Sequence, residues 1–173
     1  MSVVIDVRDL LHQPGSSRTV RVSEPVPGLG TELAAVPSDH RIEAEFLLES
    51  VVEGLLVSGP VSGNMDLVCA RCLKSFQSGF RLDVQELFAP GAAAEDDEYP
   101  VDEGTIDVEP MIRDAVVLSM PFAPLCSSDC LGLCERCGGD RNLDECRCGQ
   151  EVDPRWARLS SVELERLDGR SNN

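Results

Sequence analysis

Eight cysteines constrain this chain more than any other feature. Six fall within "CSSDCLGLCERCGGDRNLDECRCGQ", residues 126–150, and two stand far upstream in "CARC", residues 69–72. Thiols at such density serve either as disulfides in an oxidising compartment or as metal ligands in a reducing one. The opening segment "MSVVIDVRDLLHQ" is interrupted by Asp6, Arg8 and Asp9 and does not read as a signal-peptide apolar region. The longest uncharged run, residues 115–128, contains two prolines and is too short to span a bilayer. A cytoplasmic, metal-binding protein with no membrane association is therefore expected.

The spacing suggests which thiols share an ion. Cys-x-x-Cys turns bring two sulfurs near one metal, and a following Gly tolerates the backbone of such a turn. "CERCG" is one such half-site and "CRCG", a tighter Cys-x-Cys pair followed by Gly149, is another, the two separated by a loop that can fold back. Cys134, Cys137, Cys146 and Cys148 thus make a complete four-thiolate set. Cys126 and Cys130 lack a local partner, as do Cys69 and Cys72. Joining them gives a second four-thiolate site that would pin the Cys-rich segment to the β-rich half. Another division stays open: a shared-thiolate cluster within 126–148, with Cys69 and Cys72 bonded to nothing. Short knuckles with Gly favour zinc, as two structural ions, over an iron–sulfur cluster. Four protein ligands leave no position for water or substrate, so such zinc is structural. It supplies on the order of 10 kcal/mol of folding free energy to a segment with few apolar side chains.

The rest reads as one β-rich unit. In "RIEAEFLLES", Ile42, Ala44, Phe46 and Leu48 share one face, the period of two of a half-buried strand. "VVEGLLVSGPVSGNMDLV" reads as two apolar strands separated by "SGPVSGN", which carries turn chemistry. "GFRLDVQELF" alternates again, and "CARC" falls at the turn before it. Four strands with short turns imply an antiparallel meander. The proline-rich stretch before them is mostly loop, with an edge strand at 18–22. Residues 89–105 form a small, acidic, solvated loop. "DVEPMIRDAVVLSMP" reads as a helix capped by Asp107, with Met111, Ala115 and Leu118 as its stripe and Ile112 and Val116 beside it. A final helix is expected from Asp153, with Trp156, Leu159, Val162 and Leu164 or Leu167 on its apolar side. The expected fold class is α+β: an antiparallel β meander or barrel-like sheet with a packed helix, a Cys-rich zinc-binding segment and a C-terminal helix. Residues 1–125 would form the core domain and 126–173 the Cys-rich module.

No catalytic constellation is visible. His12 and His40 have no matching acid or nucleophile, no phosphate-binding Gly-rich loop with Lys occurs, and "GPVSG" lacks the spacing of a nucleophile elbow. The run Glu95–Glu98 reads as a solvated loop. A non-enzymatic role is expected.

Two blocks carry a family likeness: "DLVCARCLKSFQSGFRLDVQELF" and "MPFAPLCSSDCLGLCERCGGDRNLDECRCGQEVDPRWARLSSV". In these, and in the order of its parts, the chain resembles the YceD family, the large ribosomal RNA subunit accumulation proteins. The resemblance covers most of the chain from about residue 40, and more loosely "VIDVRDLLHQPGSSRTV". It implies a ribosome-biogenesis role in the synthesis, processing or stability of 23S (large-subunit) rRNA, in a bacterial or plastid setting. By position Cys69 and Cys72 match the family's CxxC, and the C-terminal cysteines match its fuller thiol-rich variant.

The net charge of −16 repels duplex nucleic acid, whose binding relies on Lys and Arg. The partner expected is a large-subunit precursor, as the resemblance implies, or a basic ribosomal or biogenesis protein, which suits the charge. Any direct rRNA contact would be local, through Arg71, Lys74, Arg136, Arg141 and Arg147. Two other readings compete: a thiol-based redox sensor or redox-regulated chaperone that expels zinc on oxidation, and an adaptor for transcription machinery.

Overall fold

The computed structural model describes residues 2–11, 13–91, 99–143, 146, 148 and 155. Its centre is three long strands: β5 (Arg41–Ser50), β6 (Leu55–Val68) and β7 (Ser75–Pro90). They follow β1 (Val4–Asp6), β2 (Ser17–Pro25), β3 (Leu29–Gly30) and β4 (Ala34–Val36). β8 (Tyr99–Asp102), β9 (Thr105–Asp107) and one helix, α1 (Glu109–Ser119), come after them. The nine strands among the described residues form one curled, half-barrel sheet. It is mixed rather than antiparallel throughout, because β8 runs parallel to the end of β7.

The meander has three long strands where four were expected. "SGPVSGN" is not a turn: β6 runs straight through it. Leu55, Val57, Val61, Met65 and Leu67 point into the core, and Gly59 and Gly63 fall on the same inward register. A Cβ at Gly59, where φ is 151°, would overlap the carbonyl oxygen of Glu45 on β5. These glycines therefore let the strand curl against its neighbour. β6 carries β7 along its whole length on one side. On the other side β5 pairs with its first half and β4 with its end, at Ala34↔Leu67 and Ala35↔Asp66.

The edge strand expected at 18–22 exists and is longer, pairing with β5 over nine residues. The region 89–105 is more ordered than a loop. Its part 92–98, with Glu95–Glu98, lies outside the described residues, but Tyr99–Asp102 and Thr105–Asp107 pair around a two-residue turn. Glu103 (φ 47°) and Gly104 (φ 83°) both adopt the left-handed conformation that such a turn needs. The Tyr99 ring stacks on Phe88 at 5.2 Å, which holds β8 against β7.

The helix forms where expected, with two corrections. Its cap position is Val108, and Asp107 acts from one residue earlier, its Oδ1 accepting from the N–H of Glu109 at 3.0 Å and of Val3 at 2.8 Å. One carboxylate thus ties the start of the helix to the chain entering β1. The buried stripe is Met111, Ile112 and Val116, whereas Leu118 is 85% exposed. Docking against β3 and β7 rotates the helix toward 111, 112 and 116. Arg113 fixes that rotation through the carbonyl of Pro27 at 2.9 Å and an ion pair with Glu109. Met120 is extended because Pro121 follows. The helix expected from Asp153 lies outside the described residues.

Among the described residues the main core is one apolar cluster centred on Phe46, Phe88, Leu48, Leu55, Ile106, Met111 and Ile112. A second, smaller cluster of Cys69, Cys72 and Cys130 sits at the tip of the β6–β7 hairpin, with Leu125, Cys126 and Leu133 against it. Phe76 packs on both.

Candidate metal centres

The β6–β7 hairpin ends in the turn Cys69–Lys74. The Cys69 N–H donates to the Lys74 carbonyl and the Leu73 N–H to the Cys69 carbonyl, both at 2.9 Å. This exposes the sulfurs of Cys69 and Cys72 to the chain that returns from α1. That chain is stitched on by backbone bonds: Ala70 N–H to Pro124 O at 2.8 Å, and Leu133 N–H to Arg71 O at 3.0 Å. The Arg71 guanidinium adds a bond to the Cys130 carbonyl at 2.9 Å.

The result is two groups of four sulfurs. Cys69, Cys72, Cys126 and Cys130 form one; Cys134, Cys137, Cys146 and Cys148 form the other, and within each the sulfurs lie within 4.8 Å of one another. Cys69 and Cys130 are 3.8 Å apart, Cys72 and Cys126 3.6 Å, and Cys137 and Cys146 3.7 Å. A tetrahedral ion with Zn–S bonds of about 2.3 Å sets its sulfurs about 3.8 Å apart. A disulfide needs about 2.05 Å. The donor set and spacing therefore fit a thiolate-bound ion.

The two groups differ in environment. Cys69, Cys72 and Cys130 are buried and Cys126 is half-buried, while Cys137 is exposed. Each contains one thiol that readily ionises. The N–H groups of Cys126 and Cys72 aim at Cys69 and hold it down at about 6. Those of Cys137 and Arg136 hold Cys134 down at about 6. The Cys72 thiol, with burial, pushes Cys126 up to about 12, and the thiols of Cys146 and Cys137 push Cys148 up to about 12. Thiols that compete for protons in this way release them when a cation takes their place.

The knuckle at Cys134 repeats the hairpin turn: the Gly138 N–H donates to the Cys134 carbonyl at 2.8 Å. Of the basic residues expected near the thiols, Lys74 and Arg141 are exposed, and Arg71 is committed to Cys130. Arg147 lies outside the described residues. Asn142 is a contributor that spacing did not suggest. Its Nδ2 lies 3.4 Å from the Cys130 sulfur, and only the folded loop brings it there.

The family model described as large ribosomal RNA subunit accumulation protein YceD matches residues 57–162, which include all eight cysteines. This chain belongs to the YceD family. Among its relatives, an uncharacterized protein of Mycobacterium tuberculosis is 35% identical over 164 residues, covering 91% of this chain and 79% of its own. One of Mycobacterium leprae is 36% identical over 169 residues, covering 92% and 77%. The chloroplastic YCED homolog 1 of Arabidopsis thaliana, named as a large ribosomal RNA subunit accumulation protein, is 38% identical over 53 residues, or 31% of this chain and 16% of its own. No solved structure matches. For this YceD member, no helix among the described residues is long and apolar enough to cross a membrane.

Proposed function

We propose that this YceD protein is a non-enzymatic, zinc-stabilised factor that supports the synthesis, processing or stability of large-subunit ribosomal RNA in the cytoplasm. The observation that carries the role is the family match over residues 57–162. The zinc rests on two four-sulfur groups with tetrahedral spacing. Bound there, zinc supplies cross-links and no chemistry, because four thiolates fill its coordination sphere. Cys69, Cys72, Cys126 and Cys130 would hold one ion and fasten the return chain to the hairpin tip. Cys134, Cys137, Cys146 and Cys148 would hold the other and shape the loop beyond it.

A net charge of −16 supports a basic protein of the large-subunit precursor as the direct partner. The test is affinity purification from growing cells with RNA sequencing and mass spectrometry, beside the ratio of large- to small-subunit rRNA in cells lacking the gene. The expected result is recovery of large-subunit precursors and a lowered ratio. An unchanged ratio with no such particles recovered overturns the role.

One observation favours a second reading, a redox sensor: the exposed Cys137 sulfur stands 3.7 Å from that of Cys146. Peroxide would take two electrons from this metal-bound thiolate pair and two protons from solvent, forming a disulfide and two waters and releasing the ion. Zinc retained at full stoichiometry after mild peroxide would exclude it.

A further inference from the structure

The two four-sulfur groups are not independent modules. Asn142 belongs to the loop between Cys137 and Cys146, so the outer group dictates its path. Yet its side chain reaches the inner group. Nδ2 lies 3.4 Å from the sulfur of Cys130, which is 4% exposed. Oδ1 accepts the Leu131 N–H at 2.8 Å, and Nδ2 also donates to Asp140 Oδ1 at 2.6 Å. The Asn142 N–H donates to the same Asp140 oxygen at 2.9 Å. These partners fix the amide orientation: a backbone N–H requires oxygen on one side, and a carboxylate requires NH₂ on the other. The second proton of that NH₂ is thus available to sulfur.

The backbone holds the loop in the same place. The Arg141 N–H donates to Gly132 O at 3.0 Å, and Leu133 and Asp140 form an isolated bridge. Gly132 in turn sits so close to Arg71 that a Cβ there would lie 3.1 Å from the Arg71 carbonyl oxygen. A continuous path of short contacts therefore runs from the outer loop through Gly132 and Asn142 to the hairpin turn.

The geometry points to Asn142 as a positioning residue that donates to the Cys130 thiolate and makes metal retention at the inner site depend on occupation of the outer one. Four thiolates around a divalent cation leave net negative charge on sulfur, and an N–H donor stabilises it. When the outer ion leaves, the loop is released and that donor goes with it. The ions should then depart in order, the exposed one first, with the inner one loosened by the loss. This rests on the zinc reading above.

The test is stopped-flow release of zinc from the intact, loaded chain to a chromogenic chelator, with cobalt substitution as a spectroscopic readout. Wild type should show a fast phase, abolished in Cys137→Ser, and a slow phase from the buried site. Asn142→Ala should speed the slow phase roughly tenfold, the lower end of the effect of removing an outer-shell partner, and leave the fast phase unchanged. Asn142→Asp, which keeps the shape but cannot donate, should do at least as much. Both should shift the inner site's sulfur-to-cobalt charge-transfer band, which mere loosening of the loop would not do. Cys137→Ser should speed the slow phase in wild type but add little in Asn142→Ala, since both remove one interaction. An unchanged slow phase, or effects that multiply independently, overturns the coupling while the zinc reading stands. A folded native chain without metal overturns both.

Discussion

Leu73 and Gly138 hold the same place in two copies of one turn. Each follows the second cysteine of a Cys-x-x-Cys pair, each donates its N–H to the carbonyl of the first, and φ is 59° at one and 70° at the other. Gly adopts this conformation freely, whereas a Leu there is strained by about 1 kcal/mol. The Leu73 side chain is 60% exposed, so packing offsets little of that. Leu73→Gly should leave the thermal stability of the zinc-loaded protein unchanged or raise it by up to about 1 kcal/mol, because chain entropy opposes the relief of strain. The loss of 2 kcal/mol or more typical of a buried leucine would show that Leu73 packs in the core.

Gly59→Ala should act in the opposite direction. Its Cβ would strike the backbone of Glu45 on the paired strand, which cannot move without breaking the β5–β6 ladder. A loss of about 2 kcal/mol or more is expected in denaturant unfolding. Gly63→Ala should cost less, because the new methyl clashes with the Phe80 ring, at 2.9 Å, and meets backbone only at the Arg41 carbonyl, 3.8 Å away.

Asp107→Ala removes one acceptor from two backbone N–H groups, those of Val3 and Glu109. The expected cost is about 1–2 kcal/mol, with β1 and the first turn of α1 losing amide-exchange protection ahead of β5 and β6. Uniform loss of protection across the sheet would show that the carboxylate has no local role.

Chelation at neutral pH should unfold the Cys-rich segment, residues 126–150, and spare the half-barrel. Among the described residues the main core holds none beyond Met120, so its burial there does not depend on that segment. The order of residues 126–143 rests on sulfur and a handful of backbone bonds. Amide exchange should rise there and stay slow in β5 and β6. Persistent order after metal removal would refute the structural role of the ion.

Proton release gives the pH dependence. Cys69 and Cys134, lowered to about 6, are thiolates above that pH and regain protons as it falls through it. Cys126 and Cys148, raised to about 12, keep their protons at neutrality. Those values belong to the folded arrangement, which the metal-free chain loses over residues 126–150. Zinc uptake at pH 7.5 should therefore release roughly three to four protons per ion, by indicator-dye titration, because ordinary thiols must ionise to bind. Acidification should release the metal, since each thiolate regains its proton as the ion leaves. Release of roughly two protons or fewer per ion would show that the folded arrangement, with its N–H groups on Cys69 and Cys134, persists without metal.

Several elements were legible because their signal is local. The alternation of Ile42, Ala44, Phe46 and Leu48 reads directly as β5, and "CARC" reads as the hairpin turn. The knuckle Cys134–Gly138 announces itself by spacing and by its glycine. Other elements were hidden because a distant partner decides them. "SGPVSGN" has the composition of a turn, and only the opposed backbone of Glu45 makes its glycines a bend in one long strand. Leu118 fits a helical stripe as well as Ile112 does, but the sheet selects one face. The short hairpin at 99–107 lay under an acidic composition that suggested loop.

By itself the sequence determined much of the inventory: strand-forming runs, the helix at Glu109–Ser119, local thiol pairs with their turn residues, and a charge that disfavours nucleic acid. Only the tertiary structure decided which distant sulfurs meet, that Asn142 reaches Cys130, and where β6 bends. The physical reason is range. Periodicity and turn chemistry act over a few neighbouring residues, whereas a sulfur tetrahedron and a backbone contact across strands exist only once chain segments some sixty residues apart, such as Cys69 and Cys130, have been brought together.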